Sequence, residues 1–142
     1  PLEKFGRLKI TEDFDARNRI VIVQLRYIAN FTDFDPFTYE PDVEVLYSLR
    51  EMDLKNADLI IIPGSKNTVE DLLFLRSNGI EKSIKAAVKK GVPLIGICGG
   101  YQMLGRTIAD PDGIEGAPET VPGLGLLDVA TVMAPEKPRD YR

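Results

Sequence analysis

The segment Gly96-Ile97-Cys98-Gly99-Gly100-Tyr101-Gln102 sets the chain's single cysteine between an apolar run and a pair of glycines. A thiol at a tight turn from a buried strand into a helix sits where orphan N–H groups and the helix dipole favour the thiolate, which makes it a competent nucleophile. Flanking glycines let the backbone turn sharply without a Cβ clash. The serine elbow of α/β-hydrolases follows the same logic. Acyl transfer at Cys98 needs donors aimed at a developing oxyanion, and the Gly99 N–H, directly after the nucleophile, is suited to supply one. Gln102 lies four residues on, hence on the same helix face, where it would help hold an amide substrate. Alone, each of these residues has a plainer reading. A free cysteine is usually a small buried hydrophobe, and a helical glutamine is usually just solvated. The glycine-flanked strand-to-helix position is what points Cys98 toward chemistry.

A second loop, Pro63-Gly64-Ser65-Lys66-Asn67-Thr68, also leaves an apolar run and enters a helical pattern. Backbone N–H groups around Gly64 would supply the other oxyanion donor. The spacing of a phosphate-binding P-loop is missing. An ordinary strand–helix turn, using Pro, Gly and Ser for their backbone angles, accounts for the spacing equally well.

Both loops must be carried by buried strands. Residues 19–25 (RIVIVQL) and 57–62 (ADLIII) are β-branched, nearly continuous apolar runs, as expected of strands covered on both faces of a parallel sheet. Residues 93–98 (PLIGIC) form a third short run, and residues 42–49 (DVEVLYSL) alternate as an outer strand would. Between them, residues 68–78 predict a helix capped by Thr68 and stopped by Gly79. Residues 80–90 predict another, with Ile84, Ala87 and Val88 on one side. A third helix is expected from Gly99 or Gly100 through Leu104 toward Ile108. Residues 110–123 read as a Gly/Pro-rich loop, residues 124–133 as a further strand, and residues 135–142 as an exposed tail. Strands alternating with helices predict an α/β fold: three layers, with a mostly parallel, flavodoxin-like sheet flanked by helices. Right-handed crossovers then bring the loops after Ile62 and Ile97 to the same carboxyl edge, where open α/β sheets bind ligands.

Composition narrows the class. The 142 residues are 44% apolar with a net charge of −4, and acidic and basic residues are interspersed. That suits one compact domain and offers no basic footprint for nucleic acid or an anionic membrane surface. No apolar run approaches the length needed to span a bilayer, and no signal or transit peptide is visible, so a cytoplasmic location is expected. One cysteine and no histidine exclude an internal disulfide framework and argue against a structural zinc site within these residues.

Gly96, Cys98, Gly100 and Gln102 match, residue by residue, the G-x-C-x-G-x-Q elbow of class I glutamine amidotransferases, which this chain resembles. Tyr101 stands where many members carry histidine, a departure typical of the cobyrinate-amidating branch. Residues 30–36 (NFTDFDP), 59–68 (LIIIPGSKNT), 113–116 (GIEG) and 123–129 (GLGLLDV) narrow the resemblance to the cobyric acid synthase family, across about residues 19–137. The resemblance implies that Cys98 attacks the side-chain amide of glutamine and releases ammonia through a glutamyl thioester. Gly64 and Gly99 would form the oxyanion hole, and Gln102 and Ser65 would contact glutamine. It implies no cofactor in this domain, with ATP and Mg²⁺ bound by an upstream ATP-binding domain. That domain would activate carboxylates of a corrinoid, adenosylcobyrinic acid a,c-diamide, for amidation. Residues 1–18 would then be a linker from the upstream domain, residues 19–134 a partial amidotransferase domain, and residues 135–142 a tail at a truncation. Residues 30–33 would help shape the interface with the partner domain or the corrinoid, or would simply form a capped loop.

The family's general base is a histidine, and this sequence has none. Truncation before that residue and an inactive binding or regulatory module are both compatible with the residues. A third reading is a different α/β enzyme with a cysteine elbow, such as a hydrolase or peptidase. Gln102 and the PGSKNT run argue against it.

Overall fold

The computed structural model describes residues 18–29, 34–36, 40–114 and 119–134. Residues 1–17, 30–33, 37–39, 115–118 and 135–142 lie outside that set, and with them the expected linker save Asn18, the tail, all of the NFTD segment and half of GIEG.

Four strands form a parallel sheet: β1 (Asn18–Val23), β2 (Val43–Ser48), β3 (Leu59–Ile62) and β4 (Leu94–Gly96), in the order β2-β1-β3-β4. The apolar runs are continuous because both faces are covered. Val21, Val23, Ile60 and Ile62 pack to one side, and Ile20, Ile22, Leu59 and Ile61 to the other, all of them buried. The first face receives α1 (Glu51–Lys55), α2 (Thr68–Ser77), α3 (Ile80–Lys89) and α4 (Gly99–Met103) through Leu54, Leu72, Leu75, Ile84 and Met103. On the second face, Phe34 from the β1–β2 connection is buried and meets Tyr47 edge-on at 6.5 Å between ring centroids. Phe34 thus reaches the second face, whereas the helices after β2 and β3 lie on the first. The order 2-1-3-4 is flavodoxin-like, with its switch point between β1 and β3.

A smaller sheet holds β5 (Thr107–Asp110), β6 (Glu119–Pro122) and β7 (Ala130–Val132) in the order β6-β5-β7, with β6 antiparallel and β7 parallel to β5. Ile108, Val121 and Leu124 bring it onto the same core as the helices.

Several boundaries depart from expectation. The cap of α2 is Asn67, whose side chain accepts from the Glu70 N–H at 3.2 Å; Thr68 is the first helical residue and is buried. The amide oxygen of Asn67 meets an orphan helix donor directly, so Thr68 is free to pack inward. The helix after Cys98 ends at Met103, and residues 107–110 are a strand, because Gly105 interrupts the helical stretch. The expected loop over 110–123 contains β6. Of the expected strand over 124–133, only residues 130–132 pair. The five-residue α1 had no visible helical period.

Candidate active site

β3 and β4 are adjacent, with Ile62 opposite Gly96, and the Ile97 N–H donates to the Ile62 carbonyl at 2.9 Å. Their carboxyl ends therefore deliver the Gly64 loop and Cys98 side by side. A Cβ built on Gly64 would lie 3.6 Å from Cys98 Cβ.

Cys98 caps α4 with φ 51° and ψ −114°, and among the described residues it is the one non-glycine with positive φ. An L-residue pays about 1–3 kcal/mol for such a conformation, and it persists where neighbours over-determine it. Those neighbours can be named. A Cβ on Gly100 would collide with the Ile62 carbonyl oxygen, and one on Gly96 would come within 2.7 Å of Tyr101 Cα. Both glycines are needed so that β4, the turn and α4 can press against one another and against the end of β3. The turn is closed by the Gly100 N–H donating to Ile97 O at 2.8 Å and the Gln102 N–H donating to Cys98 O at 3.0 Å. The plainer alternative, Cys98 as a small buried hydrophobe, does not hold, because the residue is exposed. With five residues α4 carries only a small macrodipole, so local N–H groups are the main electrostatic resource of the elbow.

Gly99 is buried against the second loop, where its added Cβ would sit 2.6 Å from Thr68 Oγ1 and 3.2 Å from Ser65 N. The Gly64 and Gly99 segments, expected to converge by topology, are in contact. Among the described residues, neither the Gly64 nor the Gly99 N–H donates to a protein acceptor. Gln102 is half-buried on α4, one turn after Cys98, and Tyr101 beside it is exposed.

Ser65 is half-buried, and its hydroxyl is engaged. It donates to Asp71 Oδ2 at 2.6 Å and accepts from the Asn67 N–H at 3.0 Å. Asp71, on α2, is fully buried and also accepts from the Arg26 N–H at 3.0 Å and the Tyr27 N–H at 3.2 Å. The turn after β1 and the loop after β3 are further joined by Ala29 N–H to Gly64 O at 2.9 Å and Lys66 N–H to Tyr27 O at 2.7 Å. Asp71 is not among the residues that the motifs single out, since an acid in the first turn of a helix commonly just complements its N-terminus. A signal was available: Asp71 is four residues before Leu75, on the stripe that faces the core.

Among the described residues no group of His, Cys, Asp and Glu could hold a metal ion, and no helix is long and apolar enough to cross a membrane. A surface cavity bounded by Glu51, Lys55, Ser83 and Lys90 lies between α1 and α3 and includes none of the site residues.

Comparison with known proteins adds a family to this geometry. A crystal structure of a candidate peptidase E protein from Listeria monocytogenes EGD-e superimposes with a TM-score of 0.59, over 89% of this chain and 70% of that one. At 19% identity the likeness speaks to the fold alone: an α/β sheet flanked by helices. A cobyric acid synthase from Thermodesulfovibrio yellowstonii is 51% identical over 123 residues, covering 87% of this chain and 25% of the relative. One from Methylorubrum populi is 54% identical over 119 residues, covering 83% and 24%. The chain thus spans about a quarter of the length of the curated relatives it matches. The model of the CobB/CobQ-like glutamine amidotransferase domain matches residues 19–141, and the chain belongs to that family.

Proposed function

We propose that these residues are the glutaminase part of a glutamine- and ATP-dependent cobyric acid synthase, with Cys98 as nucleophile. Cys98 Sγ attacks the carboxamide carbon of glutamine. The Gly64 and Gly99 N–H groups receive the negative charge on the former carbonyl oxygen, Gln102 holds the amide end of the substrate, and Ser65 contributes through its main chain. Collapse of the tetrahedral species expels ammonia and leaves a γ-glutamyl thioester, which water cleaves to glutamate and free thiol. The ammonia amidates carboxylates of adenosylcobyrinic acid a,c-diamide that a separate domain has activated with ATP and Mg²⁺. The observation that carries this reading is the strained, exposed Cys98 beside two free glycine amides.

The histidine general base that the family resemblance implies is not among these 142 residues. The isolated chain is therefore expected to hydrolyse glutamine negligibly. The same fact favours a second reading, an amidotransferase-like binding or regulatory module without turnover. Ammonia release from glutamine by the full-length protein, wild type against Cys98→Ala, separates the two. Release that disappears with the thiol supports the enzyme, and wild-type silence supports the module.

A further inference from the structure

We propose, resting on the glutaminase reading above, that Asp71 is a positioning residue whose carboxyl group, through the Ser65 hydroxyl, holds the Gly64 amide opposite Cys98. Asp71 is fully buried, whereas its neighbour Glu70 in the same helical turn is exposed. An acid that only complements a helix N-terminus gains nothing from burial, and a buried carboxyl group is costly unless hydrogen-bonded. Asp71 is so bonded, and each donor comes from one of the two loops that meet at the switch point. The Arg26 and Tyr27 N–H groups follow β1, and the Ser65 hydroxyl follows β3. Ser65 is held at its other side by the Asn67 N–H, so its Oγ is fixed between helix cap and core. Gly64, the preceding residue, is bound to the β1 turn through its carbonyl, which leaves its N–H as the group whose direction this clasp sets.

An oxyanion donor works by preorganisation. A misplacement of about 1 Å far from the chemistry can cost on the order of a hundredfold in rate. Because the oxyanion exists only in the transition state, loosening the clasp lowers kcat and leaves ground-state glutamine binding intact. In Asp71→Asn one acceptor oxygen becomes an NH₂ group, which cannot accept the Ser65 proton. Ser65→Ala removes the same link and leaves the Arg26 and Tyr27 contacts in place.

The test uses the full-length protein, with glutamine hydrolysis and the rate of Cys98 alkylation by iodoacetamide, a reaction that needs no oxyanion donor. Asp71→Asn and Ser65→Ala should each lower kcat by about 10- to 100-fold, with KM for glutamine changed by less than about twofold. Alkylation of Cys98 should keep its wild-type rate. Ser65→Thr, which retains the hydroxyl, should keep most of the activity, and the double variant should fall no further than the weaker single one. If Asp71→Asn does not fold, Ser65→Ala carries the comparison alone. Wild-type kcat in folded Asp71→Asn or in Ser65→Ala overturns the positioning role, as does a loss of alkylation in step with turnover. A wild type with no Cys98-dependent ammonia release overturns the glutaminase reading and this role together.

Discussion

Cys98 holds a backbone conformation that its side chain disfavours, in a turn whose flanking Gly96, Gly99 and Gly100 have no room for a Cβ. The strain is tolerated because the end of β3 presses on Gly100 and the PGSK loop presses on Gly99, so the turn has little room to relax. Gly100→Ala should therefore do more than add a methyl group. Its Cβ would meet the Ile62 carbonyl, and either the strand end or the elbow must shift. We expect a loss of about 1–3 kcal/mol in unfolding free energy, read by denaturant titration, together with loss of Cys98-dependent ammonia release in the full-length protein. Unchanged stability with unchanged turnover would show that the close approach is not needed. The elbow was legible in the sequence because glycine on both sides of a nucleophile has few other physical explanations. Asp71 was not, because an acid near a helix start has a common surface role, and only its register with Leu75 distinguishes it.

At the level of elements, Arg76 near the end of α2 ties three parts together. Its guanidinium donates to Glu81 Oε1 at 2.7 Å and Oε2 at 3.1 Å on α3, and to the Pro122 carbonyl at 2.9 Å at the end of β6. The hydrogen bond from Arg76 lowers the Glu81 pKa, with a further hydrogen bond from Lys85, against an opposing effect of burial. The same bond raises that of Arg76. A carboxyl group depressed in the folded state adds stability that is present above its unfolded pKa and fades as pH falls through the folded value. Glu81→Gln should thus cost about 0.5–1 kcal/mol near neutrality. The gap from wild type should begin to narrow as pH falls through the ordinary glutamate range near about 4.3, and close only once the lowered folded-state value is passed. Thermal melts across that range would check this, and a gap independent of pH would contradict it. Elements with a continuous apolar run, a clear period or clear end signals were readable: β1, β3, α3 and α2 lie within a few residues of expectation. The failures share a cause. α1 and β6, which were missed, and α4 and β7, whose extents were overestimated, span three to five residues, too short for a period to emerge, and their limits are set by packing and pairing with neighbours rather than by local preference.

Across the whole molecule, the 2-1-3-4 order gathers the turn after β1, the loop after β3 and the elbow after β4 at one sheet edge. The switch point and the position of the nucleophile therefore arise from the same topology. That arrangement was predictable from alternating strands and right-handed crossovers; the second sheet was not, since its strands are short and one ends on a proline. Among the described residues β4 is the sheet's outer strand beyond β3, and Ile95 on it is 43% exposed. An apolar, partly open edge invites pairing with another copy. The isolated 142-residue chain should self-associate in size exclusion, and Ile95→Lys should shift it toward monomer; a sharp wild-type monomer peak would oppose this. The central claim, an activated Cys98 in a site shaped for glutamine, is tested most directly by mapping adducts on the full-length protein after exposure to a glutamine analogue carrying a diazoketone electrophile. The account predicts one adduct, on Cys98, formed at least about tenfold faster than on a free thiol and suppressed by excess glutamine. Labelling no faster than a free thiol, or indifferent to glutamine, would contradict it.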